Sequence, residues 1–315
     1  MRKIFSAISL LLLTASGIGV ARAQTSDPNV AIPVRLGNAQ CSNAPKFRPT
    51  LNGKPVHIRQ EMGPKSDQVI LIVFDLTGNI SRIDAAKQTV VANIAKLPSN
   101  AWVGVMRSQN GLHVLTDPTD NHNKVTTIIQ SLTSTGQPGL LETVRATLTL
   151  ADAMIRKSPV RVAVLYITDG SIYDYREDYT NPVVNPSDHH DLSRRFRDGL
   201  INAKIAKLER HVSSLEAPLY VVQLHYRQNG LDQAYQNGLE ALARRTGGEA
   251  LECHSLSEIP TVINGLFHQI RKTWRLNLSV PPKSGDHLQV GLSASCGDQD
   301  LHQLAWRAHF HMKQE

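Results

Sequence analysis

Two apolar runs anchor the pattern of the chain, residues 69–74 (VILIVF) and 160–167 (VRVAVLYI, broken only by Arg161). Continuous apolarity over strand length predicts strands covered on both faces, as in parallel sheets. Between and beyond them the apolar positions shift to helical spacing. Ser81 followed by Asp84 has the form of a capping box, and a stripe through Ile83, Val90, Ile94 and Leu97 ends at Pro98. Residues 101–106 predict the next strand. Asn110-Gly111 predicts a tight turn, so residues 112–116 should return antiparallel as an edge strand. Leu140, Leu141, Val144, Leu148 and Ile155 outline a helix closed by Pro159, and a long helix is expected over about 191–215. A strand over 219–224, a helix over 231–246 capped by Gly247-Gly248, and a short strand at 249–252 follow. The last helix starts at Ser255 and Glu258, with Ile259, Val262, Ile263, Leu266, Phe267 and Ile270 as its stripe.

Strand–helix alternation with short connections implies right-handed crossovers. The expected class is α/β, a doubly wound and mostly parallel six-stranded sheet. Its flanks read differently. Residues 47–58 hold Asn52-Gly53 between extended runs and predict a hairpin. Residues 274–280, 288–294 and 304–310 alternate like half-exposed strands. The two flanks are expected to meet as a small β appendage, because chain ends of compact domains lie close together.

The first residues change the picture of destination. Arg2 and Lys3 precede an apolar stretch from 4 to 20, and Ala21-Arg22-Ala23 offers small residues for signal cleavage before Gln24. Residues 1–23 therefore read as a signal peptide, with an uncleaved anchor as the alternative. No second apolar stretch of spanning length follows. The expectation is an exported chain, periplasmic or secreted, without a membrane span after cleavage. Loss of Arg2, Lys3 and Arg22 reduces the formal charge from +7 to +4. With aromatics at 5% and no long Lys/Arg run, nucleic acid is a poor partner. Cys41, Cys253 and Cys296 make an odd count without a Cys-x-x-Cys pair. Three single pairings are open, and thiol redox catalysis and a zinc ribbon are disfavoured.

Ligands of open α/β sheets bind outside the carboxyl ends of the strands. The two most apolar strands end there in Asp75-Leu76-Thr77-Gly78-Asn79 and Thr168-Asp169-Gly170-Ser171. Two carboxylates and a hydroxyl on one rim suit a hard divalent cation; equally, such aspartates cap the turns that follow. Residues 171–191 form a long connection without apolar periodicity, carrying Tyr173, Tyr175 and Tyr179 among acidic and basic neighbours. Tyrosines with adaptable polar neighbours suit protein recognition; the alternative is a solvated insertion. His189-His190 could chelate zinc, but the spacing favours a solvated, helix-capping loop. No Gly-x-Ser-x-Gly, His-Glu-x-x-His or phosphate loop is present. His309 and His311 alternate on an expected strand as ordinary surface residues.

With those motifs in place, the segment from about 67 to 273 resembles a von Willebrand factor type A domain. It does so through Asp75-x-Thr77-x-Asn79, Ile167-Thr168-Asp169-Gly170 and Leu242-Ala243-Arg244-Arg245-Thr246-Gly247-Gly248. Together with Asn52-Gly53-Lys54-Pro55-Val56, these are similar to the exported bacterial subgroup described as VWFA-related Acidobacterial domain proteins. The resemblance implies a strand order 3-2-1-4-5-6 and a metal-ion-dependent adhesion site. In that site Asp75 and Asp169 match, Thr77 keeps a hydroxyl, Asn79 replaces a serine, and Pro138 stands where a ligand threonine belongs. The implied site is degenerate, with no cofactor beyond weak Mg²⁺ or Mn²⁺. The expected organisation is an extension over 24–66, the von Willebrand domain over 67–273 and a β extension over 274–315. The expected function is non-enzymatic binding of a protein or cell-envelope partner at the rim, with Tyr173, Tyr175 and Tyr179 as contacts. The competing readings are a metal-dependent hydrolase using Asp75, Asp169 and His189-His190, and a structural protein of envelope assembly. The oligomeric state is left open.

Overall fold

The computed structural model describes residues 28–37, 41, 44–175, 197–281 and 284–312. Strands β1 (Asn29–Leu36), β2 (Lys46–Leu51), β3 (Lys54–Pro55) and β4 (Ile58–Met62) come first. The central unit follows: β5 (Gln68–Asp75), α1 (Ile80–Ile94), β6 (Ala101–Arg107), β7 (His113–Thr119), α2 (His122–Gln130) and α3 (Leu140–Lys157). It continues through β8 (Arg161–Thr168), a 3-10 turn (Ile172–Asp174), α4 (Arg197–Val212), β9 (Leu219–Gln223), α5 (Gly230–Thr246), β10 (Glu249–Glu252) and α6 (Ile259–Lys272). The chain ends in β11 (Trp274–Ser279), β12 (His287–Cys296), β13 (Gln299–Asp300), β14 (Leu304–Trp306) and β15 (His309–His311).

The six-stranded sheet runs β10-β9-β8-β5-β6-β7, with β7 alone antiparallel. In family numbering this is the order 3-2-1-4-5-6, read from the other edge. The apolar runs VILIVF and VRVAVLYI are neighbours in register, Gln68 opposite Arg161 through Asp75 opposite Thr168. Alternation then sorts their side chains to two faces. Val69, Leu71, Val73, Val162, Val164 and Tyr166 pack with α3, α4 and α5. Ile70, Ile72, Phe74, Ala163, Leu165 and Ile167 pack with α1, α2 and α6. Burial on both faces explains why neither run shows a polar period.

The β flanks do meet, and they build more than a single hairpin. One sheet runs β14-β1-β11-β4; another runs β13-β12-β2-β3, with β15 on the far part of β12. They share a core of Val30, Ile32, Val34, Phe47, Leu276, Leu278, Val290 and Phe310 among others. Asn52 and Gly53 take positive φ (50° and 77°), as the hairpin reading requires, but β4 leaves for the other sheet. The expected single strand over 304–310 is instead two short strands split at Arg307. Its guanidinium turns inward to donate to Leu215 O, Ser213 O and Val212 O at the end of α4, and to His309 O. Cys41 and Cys296 form a disulfide with Cα atoms 5.7 Å apart, and Cys253 is free and buried.

This β sandwich packs against the amino-terminal ends of the parallel strands. Arg161 at the start of β8 donates to Thr273 O, Arg271 O, Pro64 O and Ser66 O. Arg275 reaches Val160 O and Ile155 O. Arg35 reaches Glu249, Gln269 and Gly248 O. The carboxyl ends of the strands stay uncovered by the sandwich. Among the described residues no helix is long and apolar enough to cross a membrane. The expected leader over 1–23 lies outside them.

Candidate functional site at the strand-end rim

The last residue of β5 and the residue after β8 lie side by side, because the two strands are hydrogen-bonded neighbours. Asp169 donates its N–H to Asp75 O at 3.3 Å, and Leu224 donates to Thr168 O at 2.8 Å. The rim is thus built by the sheet ladder itself.

Asp75 is fully buried. Its Oδ1 accepts from the Ser108 hydroxyl at 2.7 Å and the Gly139 N–H at 2.8 Å, and its Oδ2 from the Thr168 hydroxyl at 3.2 Å. Burial pushes its carboxyl up to about 6; the charge of Asp169 adds to the rise, and the three hydrogen bonds oppose it. Gly139 donates from the start of α3, where an added Cβ would stand 1.9 Å from Ser108 O. Only glycine allows that approach.

Asp169 is 4% exposed and faces a cradle of consecutive donors. Its Oδ1 accepts from the Thr77 N–H at 2.6 Å and the Thr77 hydroxyl at 3.3 Å; its Oδ2 accepts from Gly78 at 2.8 Å and Asn79 at 3.1 Å. Backbone N–H groups converging in this way form an anion nest. Asn79 itself is exposed and caps α1, its Oδ1 accepting from Arg82 N–H at 3.1 Å. The cap is Asn79, not the expected Ser81, because α1 begins two residues earlier.

These residues do not fit a hard cation as arranged. Both carboxylates face donors of the chain, the Asn79 oxygen faces a backbone N–H, and Pro138 supplies no oxygen. Pro138 is buried against Gly170, whose added Cβ would meet its ring at 3.0 Å. An octahedral ion would compete for those oxygens with the protein's own donors. Among the described residues no three His, Cys, Asp or Glu side chains converge on one point.

The tyrosines separate. Tyr173, in the 3-10 turn just past β8, is 50% exposed at the rim. Tyr175 is not a rim contact: it is 6% exposed, its hydroxyl accepts from Leu141 N–H at 3.1 Å, and its ring packs edge-on against Tyr235. The turn folds back beneath the surface, held by Ser171 Oγ and Ile172 N–H donating to buried Asp232 at 2.6 and 2.9 Å. Tyr179, His189 and His190 lie outside the described residues.

Side chains not singled out by motif also shape the rim. Arg82, in the first turn of α1, donates to Leu224 O at the end of β9, next to His225. Burial, and then the charges of Arg82 and Arg227, lower the pKa of His225. Arg82, Arg107 and Arg227 have no carboxylate partner among the described residues. Residues 224–227 carried no pattern in the sequence, and only the strand order brings them to Asp169.

Residues 62–171 match the family model of the von Willebrand factor type A domain. The chain contains such a domain. The match stops at Ser171, just past the Asp169 cradle, while the sheet of the von Willebrand domain continues through β9 and β10. Similar solved structures include the von Willebrand factor type A protein of Catenulispora acidiphila, at 10% identity over 92% of this chain and 74% of that one, TM-score 0.46. The ArnB paralog VWA2 of Sulfolobus acidocaldarius is 11% identical over 90% and 76%, TM-score 0.44. The PilB minor pilin of Streptococcus sanguinis is 13% identical over 69% and 63%, TM-score 0.46. No curated protein matches the chain. Von Willebrand type A domains are in general non-enzymatic interaction modules.

Proposed function

We propose that this chain is an exported, non-enzymatic binding module whose strand-end rim engages a protein or cell-envelope partner without a bridging cation. The observation that carries the reading is where apolar side chains stay exposed. Six large ones do so among the described residues, and four of them, Ile80, Val114, Tyr173 and Leu256, lie on segments that leave the carboxyl ends of the strands. That bias of exposed apolar side chains toward one end of the domain supports an interaction surface there. The sandwich occupies the opposite end, which supports the same assignment. Arg82, Arg107 and Arg227, without a carboxylate partner among the described residues, add positive charge, so the matching surface is acidic and binding weakens with salt. The apolar leader after Arg2 and Lys3 supports export. In this reading Asp75, Thr77, Asn79 and Asp169 shape the rim and do not ligate a cation.

The test is comparative affinity capture from native envelope with the whole chain. Baits are the native protein, a rim variant (I80S, Y173A, L256S) and a control on α3 (L150S), each with and without EDTA. A partner retained by the native and control baits, lost with the rim variant and indifferent to EDTA is expected. Loss of that partner with EDTA, or its retention by the rim variant, refutes the proposal.

A further inference from the structure

The outer face of the β12/β15 ribbon is built of His287, Gln289, His309 and His311. Register places His287 opposite His311 and Gln289 opposite His309, while Leu288 and Phe310 between them turn into the sandwich core. Backbone bonds from Met312 N–H to Asp286 O (2.8 Å) and from Val290 N–H to Ala308 O (2.7 Å) fix the phase of the ladder. His287 and His311 therefore occupy a non-hydrogen-bonded pair, where facing side chains of antiparallel strands come closest. Their Nδ1 atoms are 3.1 Å apart, with ring centroids at 4.3 Å and planes at 66°.

That separation has two chemical meanings. One is a hydrogen bond in which a neutral ring donates its Nδ1–H to the other. The second is a chelate. Two imidazole nitrogens, each about 2.0–2.1 Å from one ion, stand roughly 2.9 Å apart at a right angle and roughly 3.4 Å apart at a tetrahedral angle. The observed spacing falls between these, and the two rings face each other across the β12/β15 ladder, so little reorganisation is needed to admit an ion.

We propose that His287 and His311 form a two-histidine site for a divalent transition-metal ion, with water completing its coordination. Imidazole selects Zn²⁺, Ni²⁺ and Cu²⁺ over the oxygen-seeking Mg²⁺ and Ca²⁺. No third His, Cys, Asp or Glu among the described residues converges on the pair, which leaves open positions on the ion. The site belongs to the β sandwich and is independent of the rim reading.

The test is calorimetric titration of the whole chain with Zn²⁺ in a non-chelating buffer, alongside electron paramagnetic resonance of the Cu²⁺-loaded protein. The variants are His287→Gln and His311→Gln, with His268→Gln, exposed on α6, as the control. One saturable site is expected, showing coupling to two nitrogens in the Cu²⁺ spectrum. Each ribbon variant should weaken Zn²⁺ binding about tenfold or more, at least what loss of an outer-shell partner costs, and the control should not. Mg²⁺ should give no heat. Absence of saturable Zn²⁺ binding, equal affinity in the ribbon variants, or a matching loss in the control overturns the proposal.

Discussion

Asp75 combines complete burial with ionisation at neutral pH, and the pair sets a slope in stability. Its folded carboxyl titrates at about 6 against an ordinary 3.8. Between those values the folded chain holds a proton that the unfolded chain has released. Stability from this group is therefore greatest below the unfolded value and falls as pH rises through 4 to 6, by about 3 kcal/mol in total. In Asp75→Asn, which retains an acceptor for Ser108 and Gly139, urea unfolding should lack that part of the decline. A variant curve parallel to the native one would show that Asp75 carries no such shift. At this scale the sequence was informative about identity and poor on environment. Asp75, Thr77 and Asp169 stood out because they sit at or just past the ends of apolar strands, but the donors to Asp75, Ser108 and Gly139, come from other connections. Tyr173 and Tyr175 look equivalent in sequence, and a three-residue turn puts one outside and the other in the core.

Elements were legible wherever one period dominated. The long strands, α3, α5 and α6 follow directly from spacing. Helix α2 was not, because HNKVTTIIQ is crowded with β-branched residues and buries only Val125 and Ile129. Strand β1 was hidden by Pro33, a residue that argues against an interior strand. Arg307 shows how a single side chain redraws an element. It is 1% exposed, lies 4.1 Å from the centre of the Phe310 ring, and burial lowers its pKa to about 9. By donating to the carbonyls that end α4, it breaks the strand over 304–310 and ties the sandwich to the von Willebrand domain. Arg307→Met keeps the bulk and leaves Leu215 O without a donor in the interior, while Val212 O keeps the Leu215 N–H and Ser213 O keeps the His311 N–H. The expected cost is about 2 kcal/mol, read as a lower urea midpoint. A loss under about 1 kcal/mol would mean that Leu215 O finds another donor.

On the scale of the whole molecule, the chain closes on itself. The segments before and after the von Willebrand domain interleave in two sheets, β1 between β14 and β11, and β2 beside β12. The disulfide joins Cys41 to Cys296 across a separation of 255 residues, so it encloses the entire central unit. Sequence left three pairings open, because only the β2–β12 register, with Lys46 opposite Ser295, brings those two cysteines together. In the chain-entropy account, a loop of this size restricts the unfolded state by about 5 kcal/mol. The third cysteine does not compete for the bond, since burial pushes the Cys253 thiol up to about 12 and leaves it without the thiolate that exchange requires. Reduction by dithiothreitol, or Cys41→Ser, should therefore lower the unfolding midpoint by a similar amount in each case, without scrambled isomers on reoxidation. Cys253→Ser should leave that reductant-sensitive step intact. A native midpoint indifferent to reductant would show that the sandwich closes the chain without help from the bond.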